Sequence, residues 1–371
     1  MNQALEMHPA QVELAKVFSS ISLLGPPMSD KLVRLTAHLF GPEEAAVAKH
    51  LPFYYPKPLE KIARKAKRDP EEIRPLLETM AKRRVIYGGA KGYSLLPLIP
   101  GMFEYLLLDG RDSEWHREYA RLLNELFASG YTKKYNHGAT PAVRNLPVQQ
   151  AVAAQSRVAD SDLISELIDR HATLAVLNVC QCRQSLHFIG KECRRAAPPD
   201  GCLVFGSFAE SAASGGDGRF VSKEEMREVV AGRVEKKLVF FTGNVSPESR
   251  NVVCTCCDCC CHFLETVNHY GGQSLLAAPH YLARVDEALC KHCGKCSRAC
   301  NTYAHTWVNK KHRYDVQKCL GCGLCLSGCK EKAIALVANP AYRPPAKSFA
   351  TLGFKLFPAV LWGGLRTRLT R

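Results

Sequence analysis

The stretch VCTCCDCCCH, from Val253 to His262, places six cysteines within eight residues, and few folds have a use for that. A buried free cysteine packs as a small hydrophobe, so a hydrophobic core gives no reason to line up six of them. Neighbouring cysteines are badly placed to bridge one another. The N-terminus, MNQALEMHPAQVELAKVF, has no basic start and no long apolar run, so no secretory signal is read there and a disulfide framework is not expected. Metal binding is the reading left. Eighteen cysteines in all support it.

Spacing further along the chain indicates the metal. Cys290-x2-Cys293-x2-Cys296-x3-Cys300 is followed by Cys319-x2-Cys322-x2-Cys325-x3-Cys329, an internal repeat offset by 29 residues. Three thiols at this spacing wrap three corners of a cuboidal cluster, and the fourth cysteine of each run ligates the other cluster. The pattern assigns Cys290, Cys293, Cys296 and Cys329 to one [4Fe–4S] cluster, and Cys319, Cys322, Cys325 and Cys300 to a second. Structural zinc is the competing reading, but zinc sites pair two CxxC units rather than repeat a four-cysteine run. This portion resembles the bacterial two-[4Fe–4S] ferredoxin family. That family carries a proline after the fourth cysteine of each run. Here Asn301 and Lys330 stand there, which puts the local loop shape in question.

Ten cysteines remain: Cys180, Cys182, Cys193 and Cys202 in one group, and Cys254, Cys256, Cys257, Cys259, Cys260 and Cys261 in the other. All ten are candidate metal ligands, for one or two further clusters. Cys254, Cys257 and Cys260 repeat the three-residue register of the ferredoxin runs. They are therefore expected to share one cluster, completed by a thiol from the 180–202 group, while Cys256 and Cys259 point the other way. The competing readings are free thiols packed around a single cluster, or zinc. His187, His262 and His269 lie near these thiols and are read as ordinary residues.

The fold class expected is α+β and multidomain. A winged-helix-like helical region spans 1–130, a cysteine-rich α/β domain 151–278, a ferredoxin-like two-cluster domain 279–338, and a basic apolar tail 339–371, with a linker near 131–150. PEEAAVAKHL, LEKIARKAKR and PEEIRPLLETMAKRRV read as three helices, the last capped by Asp69 with Pro70 at its first position. VIYGGAKGYSLL then reads as a hairpin. Asp160 or Ser161 is expected to cap a helix to Arg170, and Ser222 with Glu225 to form a capping box. TLAVLNV, KLVFFTGNV and NVVC read as strands, two of them leading into cysteines.

As a whole, residues 25–338 resemble a group of anaerobe-type iron–sulfur proteins, through NVCQC, GCLVFG, VSKEEM, CTCCDCCC and the two ferredoxin runs. The resemblance implies an electron-transfer subunit of a larger redox complex, with redox proteins or subunits as partners. Three function classes follow. The first is an electron carrier. The second is a reductase with its chemistry at the multi-cysteine site. The third is a redox-sensing DNA-binding regulator. Against the regulator, the helix expected to read DNA opens with Asp69, Pro70, Glu71 and Glu72, and carboxylates there oppose phosphates and base acceptors. No dinucleotide fingerprint, phosphate loop or nucleophile elbow is placed where one would work, so no other cofactor is expected.

The formal charge of +15 counts thiolates as neutral. With two to four clusters of charge about −2 each it falls to between about +11 and about +7. The tail FATLGFKLFPAVLWGGLRTRL mixes aromatic and basic residues. It suits either packing on its own domain or on a partner subunit, or lying on an anionic membrane surface. The location expected is cytoplasmic, peripheral to the membrane if the tail engages it, and self-association is left open.

Overall fold

The computed structural model describes residues 7–20, 23, 25–53, 55–135, 141–148 and 163–369, and divides into two compact units. The expected cap at Asp160 or Ser161 lies outside the described residues. The first unit comprises residues 1–135, 184–191 and 360–371. Its helices Pro42–Ala48, Leu59–Ala66 and Pro70–Lys82 precede a hairpin of β1 (Tyr87–Gly89) and β2 (Gly92–Ser94). Two bridges, Phe53 to Leu95 and Lys57 to Tyr93, tie the hairpin to the segment between the first two helices. Gly92 is needed there: its φ is +104°, and a Cβ would lie 2.0 Å from the Lys57 carbonyl oxygen. Leu14, Phe18, Leu35, Phe40, Leu77 and Tyr119 are fully buried in this unit.

The second unit, 136–183 and 192–359, holds all the cysteines. Its centre is a six-stranded sheet of β3 (Val143–Leu146), β4 (Leu174–Leu177), β5 (Leu203–Phe205), β6 (Gly218–Phe220), β7 (Val239–Gly243) and β8 (Val252–Cys256). The order is β3-β7-β8-β5-β4-β6 and every pairing is antiparallel. Two expectations change here. The segment read as a linker contains β3, which pairs with β7 at the sheet edge; Pro141 and Pro147 flank the strand and masked its short apolar pattern. The middle region is also α+β in kind rather than α/β, because no parallel crossover is present in the sheet.

Strands β9 (Tyr281–Val285) and β12 (Ile334–Ala338) pair with each other, as do β10 (His305–Val308) and β11 (Lys311–Tyr314). The expected boundaries at 151–278 and 279–338 do not coincide with the compact units. Leu203, Phe205, Val239 and Val253 of the large sheet belong to the same buried cluster as Tyr281, Leu320, Leu324 and Leu336. Val148 N–H donates to the Cys322 carbonyl at 3.0 Å, and the Asn145 side chain donates to the Leu320 carbonyl at 3.2 Å. The ferredoxin-like segment thus shares one core with the sheet. In the tail, a helix begins at Phe349; Leu352 packs with Val245 and Ala346, while Phe354 and Phe357 are exposed.

Candidate metal centres

Cys290, Cys293, Cys296 and Cys329 line one cavity of the ferredoxin-like segment, together with His292 and His312. A second cavity is lined by Cys300, Cys319, Cys322 and Cys325. These are the two crossed quartets that the repeat implies. The loops reach their shape through left-handed residues: Gly294 at φ +73° opens the helix Lys295–Ala299, and Gly321 stands at φ +64°. A Cβ on Gly321 would lie 2.1 Å from the Tyr281 carbonyl oxygen, so the loop and β9 pack as closely as backbone allows. Burial pushes the thiol of Cys296 up to about 11 and that of Cys322 up to about 12. At a buried thiol of this kind a bound metal takes the proton's place on the sulfur, and the proton is released to solvent. A thiolate-only donor set around a cavity fits an iron–sulfur cluster, which supplies one-electron redox chemistry when bound.

Beside the first quartet, the His305 and His312 rings hydrogen-bond at 2.9 Å, and both lie within 4.8 Å of the Cys296 sulfur. Burial, then the neighbouring His312, pushes His305 down to about 4, so it is uncharged at neutral pH.

The multi-cysteine stretch is arranged differently from the expectation. β8 does not stop at Cys254 but runs to Cys256, and in a strand residues two apart share a face. Cys254 and Cys256 therefore point together, toward Cys202, Cys182 and Cys180. Cys202 and Cys254 stand directly across the β5–β8 pair, in the register that sets Leu203 opposite Val253, with 3.3 Å between their sulfurs. A turn closed by the Cys261 N–H to the Cys257 carbonyl follows, and it aims Cys257, Cys259 and Cys260 elsewhere, toward Cys193. Cys261 then caps the helix His262–His269 and returns to the first group. The expectation that Cys254, Cys257 and Cys260 share a cluster is overturned. It treated the whole stretch as a loop, whereas strand geometry governs its first half.

Two thiol groups result. Cys202, Cys254, Cys256, Cys261 and Cys182 form an open chain of hydrogen-bonded thiols, with Cys180 within electrostatic reach of Cys254 and Cys261. Cys193, Cys257, Cys259 and Cys260 form a closed group in which every pair of sulfurs lies within 4.8 Å. Within the open chain, hydrogen bonds from Cys202 and then Cys256 hold Cys254 well below the usual thiol range. Those from Cys182 and then Cys256 do the same for Cys261, helped by the backbone N–H groups of Leu264 and Phe263. Thiols that ligate a metal do so as thiolates, and several of them in one buried group call for a counter-charge.

Sequence reasoning missed the residue that supplies it. Arg183 is 7% exposed and donates from Nη1 to the Thr255 carbonyl at 3.1 Å and from Nη2 to the Asp200 carbonyl at 2.8 Å. Its Nε is buried and has no hydrogen-bond partner among the described residues. Burial works against its charge, but Cys180, Cys257, Cys256 and Cys193 outweigh that and hold its proton more firmly than usual. Behind it Arg233, 1% exposed, pairs with Asp200 at 2.6 Å. The only hint in the sequence was a basic residue directly after CQC.

Asn301 is the second residue whose role was missed. It is 1% exposed, accepts from the Asp258 N–H at 3.0 Å, and donates to the Lys237 carbonyl at 2.8 Å. Asp258 lies inside the multi-cysteine turn and also pairs with Arg195 at 2.6 Å. Asn301 therefore docks the ferredoxin-like loop onto that turn. The departure from the family proline was the signal. His262 bonds Glu265 at 3.1 Å.

The sequence pattern of a family described as a 4Fe-4S dicluster domain matches residues 282–330. No curated protein and no solved structure matches the chain. The match covers both cysteine runs up to Lys330, and with the thiol-lined cavities it makes this an iron–sulfur protein. No helix among the described residues is long and apolar enough to cross a membrane.

Proposed function

We propose that the protein is an electron-transfer subunit of a larger redox complex. It would relay single electrons through two [4Fe–4S] clusters in residues 282–330 and a third iron–sulfur centre held by the six-thiol group. The observation that carries this reading is the pair of thiol-lined cavities, each with four cysteines crossed between the two runs. Fixed glycine turns and packing on the shared core keep each quartet in one geometry, which lowers the reorganisation needed when charge arrives. Arg183 and Arg233 supply positive charge behind the six thiols, and that favours the reduced, more negative state of a centre held there.

A specific observation favours a second reading. The six-thiol group exceeds by two what a cubane uses, and surplus thiols suit reductase chemistry at this site. The regulator reading has less support. Glu71 and Glu72, at the start of the helix Pro70–Lys82, are exposed and paired with Arg74 and Arg68 on their own surface. If the winged-helix-like order of that region reflects kinship, it serves docking rather than base readout.

The test is anaerobic purification of the full chain with iron and sulfide counting, redox titration by electron paramagnetic resonance, and a census of co-purifying subunits. About 12 iron per chain, with reversible one-electron signals from three centres, is expected. Iron that cannot be cycled between two states would end the electron-transfer reading.

A further inference from the structure

The closed group of Cys193, Cys257, Cys259 and Cys260 differs in size from the ferredoxin quartets, and size separates a single ion from a cluster. The Cys193 sulfur lies 3.8 Å from that of Cys257 and 3.7 Å from that of Cys259, and Cys259 lies 3.7 Å from Cys260. Around one tetrahedral ion with metal–sulfur bonds of about 2.3 Å, the sulfur–sulfur edge is about 3.8 Å. A cubane places eight iron and sulfide atoms between its thiolates and needs a larger shell. The ferredoxin quartets instead line cavities, with space among their thiols.

We propose that Cys193, Cys257, Cys259 and Cys260 bind one zinc ion as a tetrathiolate site, separate from the iron–sulfur centres. Four thiolates and no open position describe a structural site, and zinc there takes no part in redox chemistry. The surroundings suit a dianionic centre. Arg194 and Arg195 follow Cys193 directly, and Arg183 lies within electrostatic reach of Cys193 and Cys257. Arg195 and Arg194 both pair with Asp258, at 2.6 and 3.3 Å, between two of the ligands. The ion would pin the segment that carries Cys193 to the turn on which Asn301 docks. Binding converts four thiols to thiolates and releases their protons, so occupancy should fall in acid.

This site stands apart from the electron-transfer reading. Failure of that reading would appear in the iron, and failure of this one in the zinc. The experiment is elemental analysis and zinc-edge X-ray absorption on full-length protein purified anaerobically. About one zinc per chain with four sulfur neighbours at about 2.3 Å is expected. Cys259→Ser and Cys193→Ser should each lower zinc at least tenfold while leaving every iron–sulfur resonance in place. Should those variants fail to fold, the absorption measurement on the native chain decides alone. Zinc absent from the native chain, zinc with oxygen or nitrogen neighbours, or an iron–sulfur resonance lost in Cys259→Ser would overturn the proposal.

Discussion

The ferredoxin-like quartets and the multi-cysteine turn use the same residue in opposite ways. In the first, short loops hold thiols apart around a cavity, and sequence spacing alone says which four belong together. In the second, a strand and a tight turn press thiols into contact, and spacing misleads. Thiol chemistry is common to both; backbone geometry decides what each group surrounds. A three-residue register predicts shared ligation only where the chain is a loop.

The largest effect that would test this contrast comes from the quartets. Cys325→Ser should remove one cluster, with a loss of about four iron per chain, and leave the resonance of the other. Loss of both signals would mean that the two cavities do not hold independent clusters. Air should separate the two regions next. Cys293 is exposed, so oxygen is expected to bleach the ferredoxin clusters and release iron, while the closed four-thiol group keeps its metal. Metal analysis after aerobic dialysis measures both, and parallel loss would erase the distinction drawn here.

A smaller effect is expected at the junction. Asn301→Ala removes the acceptor for the Asp258 N–H and the donor to the Lys237 carbonyl, two part-buried groups. Stability should fall by about 2–3 kcal/mol, read by urea unfolding under anaerobic conditions. An unchanged midpoint would mean that the docking contributes nothing. The smallest effect is a shift in potential. Arg183→Gln takes away a buried positive charge and should lower the midpoint of the six-thiol centre by roughly 50–100 mV, with Arg183→Lys in between and the ferredoxin clusters unmoved. A potentiometric titration in which every centre moves equally would assign the change to a general loosening.

Much of this was legible beforehand, and the parts that were not have physical causes. The repeat gave both quartets because a tight thiol loop is encoded locally, within about ten residues. Helices Pro42–Ala48, Leu59–Ala66 and Pro70–Lys82 were visible through their prolines and caps, as was the hairpin after them. β3 escaped notice because an edge strand of four residues between prolines has no pattern long enough to count. The partition of the ten middle cysteines escaped because Cys193 and Cys202 meet the turn only through the fold. Arg183 was hidden for the same reason: its carbonyl partners at Asp200 and Thr255 are distant in sequence.

The single buried cluster that joins the sheet to the ferredoxin-like segment has one more implication. Some electron carriers work as shuttles, in which a domain on a flexible tether swings between donor and acceptor. A domain that shares its interior with its neighbour, and is bolted down again through Asn301, has no such freedom. Its redox centres are fixed at set separations like the rungs of a ladder. On the electron-transfer reading proposed above, a redox partner would dock within tunnelling reach of a rung that does not move.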